Sequence, residues 1–110
     1  MLSPGRHAVN TTLRLAVQFT NDDYTDVDPT TVTLKIYSPD GDTTTYVYGT
    51  NAELERDDTG DYFCDYVPDV AGRWNYRWES TGDGTAVAVE GQFVVQASAF
   101  YDVSSRKYQL

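Results

Sequence analysis

This sequence has one cysteine, one histidine and one methionine, and only 8 basic residues among 110. A single cysteine cannot close an intramolecular disulfide, so the fold is not expected to rely on an oxidising compartment. Basic residues are outnumbered by 17 acidic ones, for a formal charge of −9. Such a surface repels phosphates, so no nucleic-acid partner is expected. No polybasic cluster is present to attract an anionic membrane, and no apolar run is long enough to cross a bilayer. The opening "MLSPGRHAVN" lacks the apolar core of a secretory signal, which leads to the expectation of a protein made and folded in a cytoplasm. Helical texture is also missing: no segment carries apolar residues at the 3.6-residue period.

What the sequence has in quantity is aromatic and β-branched residues. Nine Tyr, four Phe and two Trp accompany many Thr and Val, the types that suit a pleated, half-buried surface. The dominant period is two. In "TLRLAVQF" Leu13, Leu15, Val17 and Phe19 alternate with Arg14, Ala16 and Gln18, and in "TVTLKIYS" Val32, Leu34 and Ile36 alternate with Thr33, Lys35 and Tyr37. Strict alternation predicts strands with one buried face. "SPDGD" at 38–42 reads as a tight turn, and "TTTYVYG" pairs back across it. "NAELERD" is a short, charged strand anchored by Leu54, of the kind that protects a sheet edge. In "GDYFCDYVP" Tyr62, Cys64 and Tyr66 are assigned inward, leaving Phe63 and Val67 outward. "GRWNYRWES" sets Trp74, Tyr76 and Trp78 against Arg73, Asn75 and Arg77. "TGDG" at 81–84 is a turn. "TAVAVEGQFVVQA" is one long strand with Val87, Val89, Phe93 and Val95 in phase, and Gly91 predicts a bulge or bend.

About seven short strands separated by turns predict an all-β sandwich. Its expected core is Leu13, Leu15, Val17, Phe19, Val32, Leu34, Ile36, Tyr62, Cys64, Trp74, Tyr76, Trp78, Phe93 and Val95. The chain divides into an N-terminal arm (1–9), the sandwich (10–97) and a C-terminal arm (98–110). A chain of this length suits one domain.

Few residues offer chemistry. His7 precedes the first clear strand, whereas Cys64 faces the expected core, so a Cys–His or Ser–His site is not expected. Cys64 reads as a small buried hydrophobe. Asp22, Asp23, Asp26 and Asp28 crowd one loop, and carboxylates of that density can hold Ca²⁺. Their spacing is not that of an EF-hand, and a solvated loop with Asx turns is the expectation. No metal, cofactor or catalytic residue is assigned. The Trp74/Tyr76/Trp78 stripe could stack on sugar rings, but strand spacing favours the core. Arg73 and Arg77 on the opposite face are expected to form cross-strand ion pairs. Tyr37, Tyr46, Tyr48 and Phe63 are harder to bury and suit either an interface or ordinary surface. In the C-terminal arm, Phe100, Tyr101 and Tyr108 are spaced by polar residues, with Arg106 and Lys107 near the end. Alone it buries too little to be ordered, and its aromatics point to docking on a neighbouring subunit. Together with Phe63, these five residues are the expected partner-docking set.

Asp58-x-Gly60-x-Tyr62-x-Cys64 resembles the motif around the second disulfide cysteine of immunoglobulin domains. Two strands follow Cys64 here, however, and both tryptophans lie after it. The order therefore resembles the immunoglobulin-like repeat of filamins and related bacterial and phage domains, with Cys64 on the fifth strand, where no bridge is needed. Asp58, Gly60, Tyr62, Tyr66, Pro68, Gly72, Trp74, Gly82, Gly91 and Phe93 carry that resemblance. Gly60 and Gly72 sit where the chain reverses and φ is expected to be positive. The chain as a whole is similar to small proteins of tailed-bacteriophage virion gene clusters, through "TTLRLAVQFT", "DPTTVTLKIYSPDGDTTTY", "DDTGDYFCDYVPDVAGRWNYRWES" and "EGQFVV". The resemblance implies a single immunoglobulin-like β-sandwich and a non-enzymatic virion protein. The expected roles are head decoration or head–tail connector (neck) component, made in the host cytoplasm. Expected partners are capsid, portal or tail subunits, with the chain itself in a symmetric homo-oligomer or as lattice-bound copies. Two other functions stay open: an adhesion module that binds host glycans through exposed aromatics, and a peptide-binding module that works by β-augmentation.

Overall fold

The computed structural model describes residues 6–82 and 86–97. Among these described residues eight strands occur in chain order: β1 (Arg6–Ala8), β2 (Leu13–Gln18), β3 (Thr31–Tyr37), β4 (Thr43–Val47), β5 (Leu54–Asp58), β6 (Asp61–Tyr66), β7 (Gly72–Thr81) and β8 (Ala88–Gln96). Seven of them have five residues or more, and β1 has three. They form a five-stranded sheet in the order β1-β8-β7-β3-β4 and a three-stranded sheet in the order β2-β6-β5. All pairings are antiparallel except β1 with β8.

The alternating residues meet between the sheets. After exposed Thr31, β3 alternates buried and half-buried residues, with Val32, Leu34 and Ile36 at 1% exposure or less. β6 supplies Tyr62 and Cys64, and β7 supplies Trp74 and Trp78. Leu15, Phe19, Leu54, Phe93 and Val95 complete the buried cluster, while Leu13, Val17, Tyr66 and Tyr76 pack half-buried at its margin. Trp74 stacks on Phe93 at 5.7 Å between ring centroids and meets Tyr66 edge-on at 5.7 Å. Offset and edge-on contacts of this kind suit the ring quadrupole and add to the area buried. Cys64 is fully buried, and burial pushes its thiol up to about 11, so it remains a neutral thiol near pH 7.

Local chemistry accounts for the turns. Between β3 and β4, the Gly41 and Asp42 N–H groups donate to Ser38, at its carbonyl and its hydroxyl oxygen respectively. Gly60 and Gly72 do have positive φ, +79° and +136°. β5 lies at a sheet edge with only Leu54 buried.

Two features depart from the expectation. Residues 6–8 of the predicted N-terminal arm are part of the sandwich: they run parallel to β8, with Arg6 opposite Val94 and Ala8 opposite Gln96. A three-residue ladder held by backbone bonds needs no side-chain alternation, so "RHA" has nothing to read. Gly91 makes no bulge. The β7–β8 register is unbroken from Gly72–Val95 to Glu79–Ala88, and the ring of Tyr76 lies where a Gly91 side chain would stand. A missing side chain, rather than an extra residue, is what this position needs. Val87 and Val89, in phase with Phe93 and Val95, are 45% and 46% exposed.

Candidate functional site

Asp28 gathers the end of the sandwich where the loop 19–30 meets the β5–β6 turn. The Arg56 guanidinium donates to it twice, at 3.0 and 2.9 Å, the Gly60 N–H at 2.8 Å and the Tyr62 hydroxyl at 3.1 Å. These donors, Arg56 first, hold the Asp28 carboxyl down at about 2. Burial, then the bond to Asp28, push the Tyr62 phenol up to about 12. Asp28 is therefore a structural fastener. Asp26 accepts from Gln18 at 2.9 Å, and the Asn21 side chain accepts from the Asp23 and Thr25 N–H groups. Among the described residues no group of three or more His, Cys, Asp and Glu side chains is arranged to hold a metal ion.

The Asp28 node predicts a pH dependence. Its folded pKa lies below the ordinary 3.8, so its contribution to stability is full above about pH 4 and is lost as pH falls towards 2. Asp65, bonded by Arg14, and Glu79, bonded first by Arg77, are lowered as well and add the same sign. The melting temperature is expected to fall steeply over this window. Asp28→Asn should lower it at pH 7 and flatten the acid slope. Thermal unfolding at pH 7, 4 and 2.5 checks this, and an unchanged slope in the variant rejects it.

On the outer face of the five-stranded sheet an open depression of ≈ 700 Å³ is lined by Lys35, Tyr37, Asn75, Arg77, Glu79, Glu90 and Gln92. Its charges satisfy one another: Arg77 bonds Glu79 at 2.6 Å and Glu90 at 2.5 Å, and Lys35 reaches Glu79 at 3.3 Å. Arg77 thus makes the expected cross-strand ion pair, while Arg73 bonds the neutral Gln92. Within the depression the two cations Lys35 and Arg77 pair with the two carboxylates Glu79 and Glu90.

On the outer face of the three-stranded sheet Phe63 points outward, as expected. Its ring lies beneath the Arg14 guanidinium, 4.0 Å from the centroid, and Arg14 is bidentate on Asp65 at 2.8 and 2.9 Å. One face of Phe63 is thereby covered. Phe100, Tyr101, Arg106, Lys107 and Tyr108 lie outside the described residues. Tyr37 and Tyr46 are half-buried, and Tyr48 meets Tyr62 edge-on at 5.1 Å. His7 is on β1 in one sheet and Cys64 on β6 in the other, so sequence and topology separate them.

Two surface features were not singled out in the sequence. Tyr24, in the Asp-rich loop, is 89% exposed at φ +62°. The second is the outer edge of β8. β1 covers only Val94–Gln96, and among the described residues no strand pairs beyond β8 along Ala88–Phe93. Residues 86–90 are all exposed. β1 hands over directly to β2, with the Val9 N–H on the Gln96 carbonyl and the Asn10 N–H on that of Pro68. The unpaired edge of β2 therefore lies on the same side of the sandwich. A run of unpaired N–H and C=O groups beside exposed valines is a template for another strand.

No protein-family model matches the sequence, and no curated protein matches it. Solved structures do. The Lin-41 filamin domain superposes with a TM-score of 0.63 over 87% of this chain and 87% of that one, at 15% identity. A candidate glycoside hydrolase from Bacteroides vulgatus superposes with a TM-score of 0.58 over 86% of this chain, at 16% identity; the match spans 16% of that longer chain. At such identities the likeness speaks for architecture alone, and with the strand order above it establishes that this chain folds as an immunoglobulin-like β-sandwich.

Proposed function

We propose that this chain is a non-enzymatic structural protein that works by protein–protein assembly, as a head-decoration or head–tail connector component of a tailed-phage virion. The observation that carries the assembly reading is the stretch Ala88–Phe93 of β8, beside exposed Val87 and Val89, with whose outer edge no strand pairs among the described residues. The edge strand β5, by contrast, is charged along its length. An unprotected edge invites aggregation unless a partner uses it. The virion assignment rests on the segments "TTLRLAVQFT", "DPTTVTLKIYSPDGDTTTY" and "EGQFVV", read as resembling small proteins of phage gene clusters. A rigid sandwich contributes surface to a symmetric particle, where many weak contacts multiply.

Quantitative mass spectrometry of purified phage particles assembled in the presence of the tagged chain tests the proposal. A fixed copy number per particle is expected. A chain that stays in the unassembled fraction and is instead retained by a glycan array overturns it in favour of adhesion.

A further inference from the structure

We propose that the open stretch of β8, Ala88–Gln92, is completed by a strand from residues 98–110 of a second copy of this chain. This rests on the assembly reading and gives it a partner and a segment. The edge is about 17 Å long at the rise of an extended strand. Its flanking side chains are the half-exposed Val87 and Val89. Its single charge, Glu90, is already bonded by Arg77. An incoming strand therefore gains backbone bonds and apolar contact without having to neutralise a charge.

The chain has two segments that could supply the strand. Upstream of β1 stand Pro4 and Gly5. Proline has no N–H for a ladder and glycine weakens a strand, so continuing β1 along β8 is disfavoured. Downstream, residues 98–110 are ample for five pairing positions and contain Phe100, Tyr101, Val103, Tyr108 and Leu110. They also carry two cations, Arg106 and Lys107, against one carboxylate, Asp102, in a chain of net charge −9. Asp22, Asp23 and Asp26 lie at the end where β8 begins, because the Thr30 N–H ties their loop to the Thr81 carbonyl at the end of β7. Charge complementarity thus favours this segment.

Topology selects the second copy. The segment leaves β8 at Gln96, where β1 already occupies the edge. A return along its own strand would have to cross β1; a neighbour's segment meets no such obstacle. The contact is head-to-tail, so it closes a ring or continues as a lattice.

Light scattering coupled to size exclusion tests this with two contrasting variants: a chain ending at Ala97, which keeps the edge, and full-length Val87→Lys/Val89→Lys, which keeps the segment. The altered valines are exposed, and circular dichroism verifies that both proteins fold. The unaltered chain should self-associate, each variant should do so about tenfold more weakly or worse, and an equimolar mixture should regain a one-to-one complex. Undiminished association of the shortened chain overturns the proposal in favour of edge-to-edge pairing. A monomeric unaltered chain, or a mixture that stays monomeric, overturns it too. Particle copy number reports on the assembly reading separately: a normal copy number with a silent mixture rejects the strand exchange alone.

Discussion

Trp78→Ala is expected to remove about 3–5 kcal/mol of stability. That is a large share of the roughly 5–15 kcal/mol that holds a domain of this size folded. Trp78 is fully buried at the middle of β7, opposite Leu34 of β3 on one side and Val89 of β8 on the other. Its indole fills the space between the sheets beside the buried side chains of both. The neighbours are fixed by two ladders, so they cannot collapse into the void, and lost contacts add to lost burial. The melting temperature should fall by roughly 15–30 °C. Val89→Ala, next to it but half exposed, should cost under about 1 kcal/mol. Urea unfolding of both variants checks the contrast. A Trp78→Ala cost below that of Val89→Ala would show that the sheets are held elsewhere.

Gly60→Ala should be nearly as damaging, at about 3 kcal/mol, for a different reason. Gly60 has φ +79°, which an L side chain adopts at a cost. A Cβ there would also stand 2.6 Å from the Phe19 carbonyl oxygen and 3.1 Å from that of Val27. Both are backbone atoms and cannot rotate away. Three bonds converge at this point: Gly60 N–H to Asp28, Phe19 N–H to Gly60, and Val27 N–H to Phe19. Moving Gly60 aside strains all of them. Gly49 gives the control, since its φ is +89° but nothing lies within 4 Å of its Cβ position. Gly49→Ala should therefore cost only the conformational part, about 1 kcal/mol. Equal effects at the two sites would mean that the crowding around Gly60 relaxes freely.

The strands were legible because alternation is a local signal. Residues two apart share a face whatever they pair with, so Val32, Leu34 and Ile36 could be assigned inward from the sequence alone. The same logic placed Trp74 and Trp78 in the core, Phe63 outward and Cys64 inward. The period alone does not separate Val87 and Val89, which are exposed, from Phe93 and Val95, which share their phase and are buried. Burial needs a facing sheet and a flanking strand, and the period says nothing about either. Asp28 was read as one of four similar carboxylates. What separates it from Asp22 and Asp23 is Arg56, 28 residues away along the chain, a distance over which no spacing rule operates.

The sequence by itself determined that the chain is all-β, which face of most strands is buried, where the turns fall, and that its lone cysteine is packing rather than chemistry. These follow from period, turn residues and composition, all of them local. Only the tertiary structure decided which strands distant in sequence are neighbours, that β1 lies beside β8, and that among the described residues no strand pairs with the outer edge of β8 from Ala88 to Phe93. Strand pairing joins segments that are distant in sequence through backbone groups common to every residue, so side-chain pattern cannot encode it position by position. The surface proposed to work in assembly belongs to that second category.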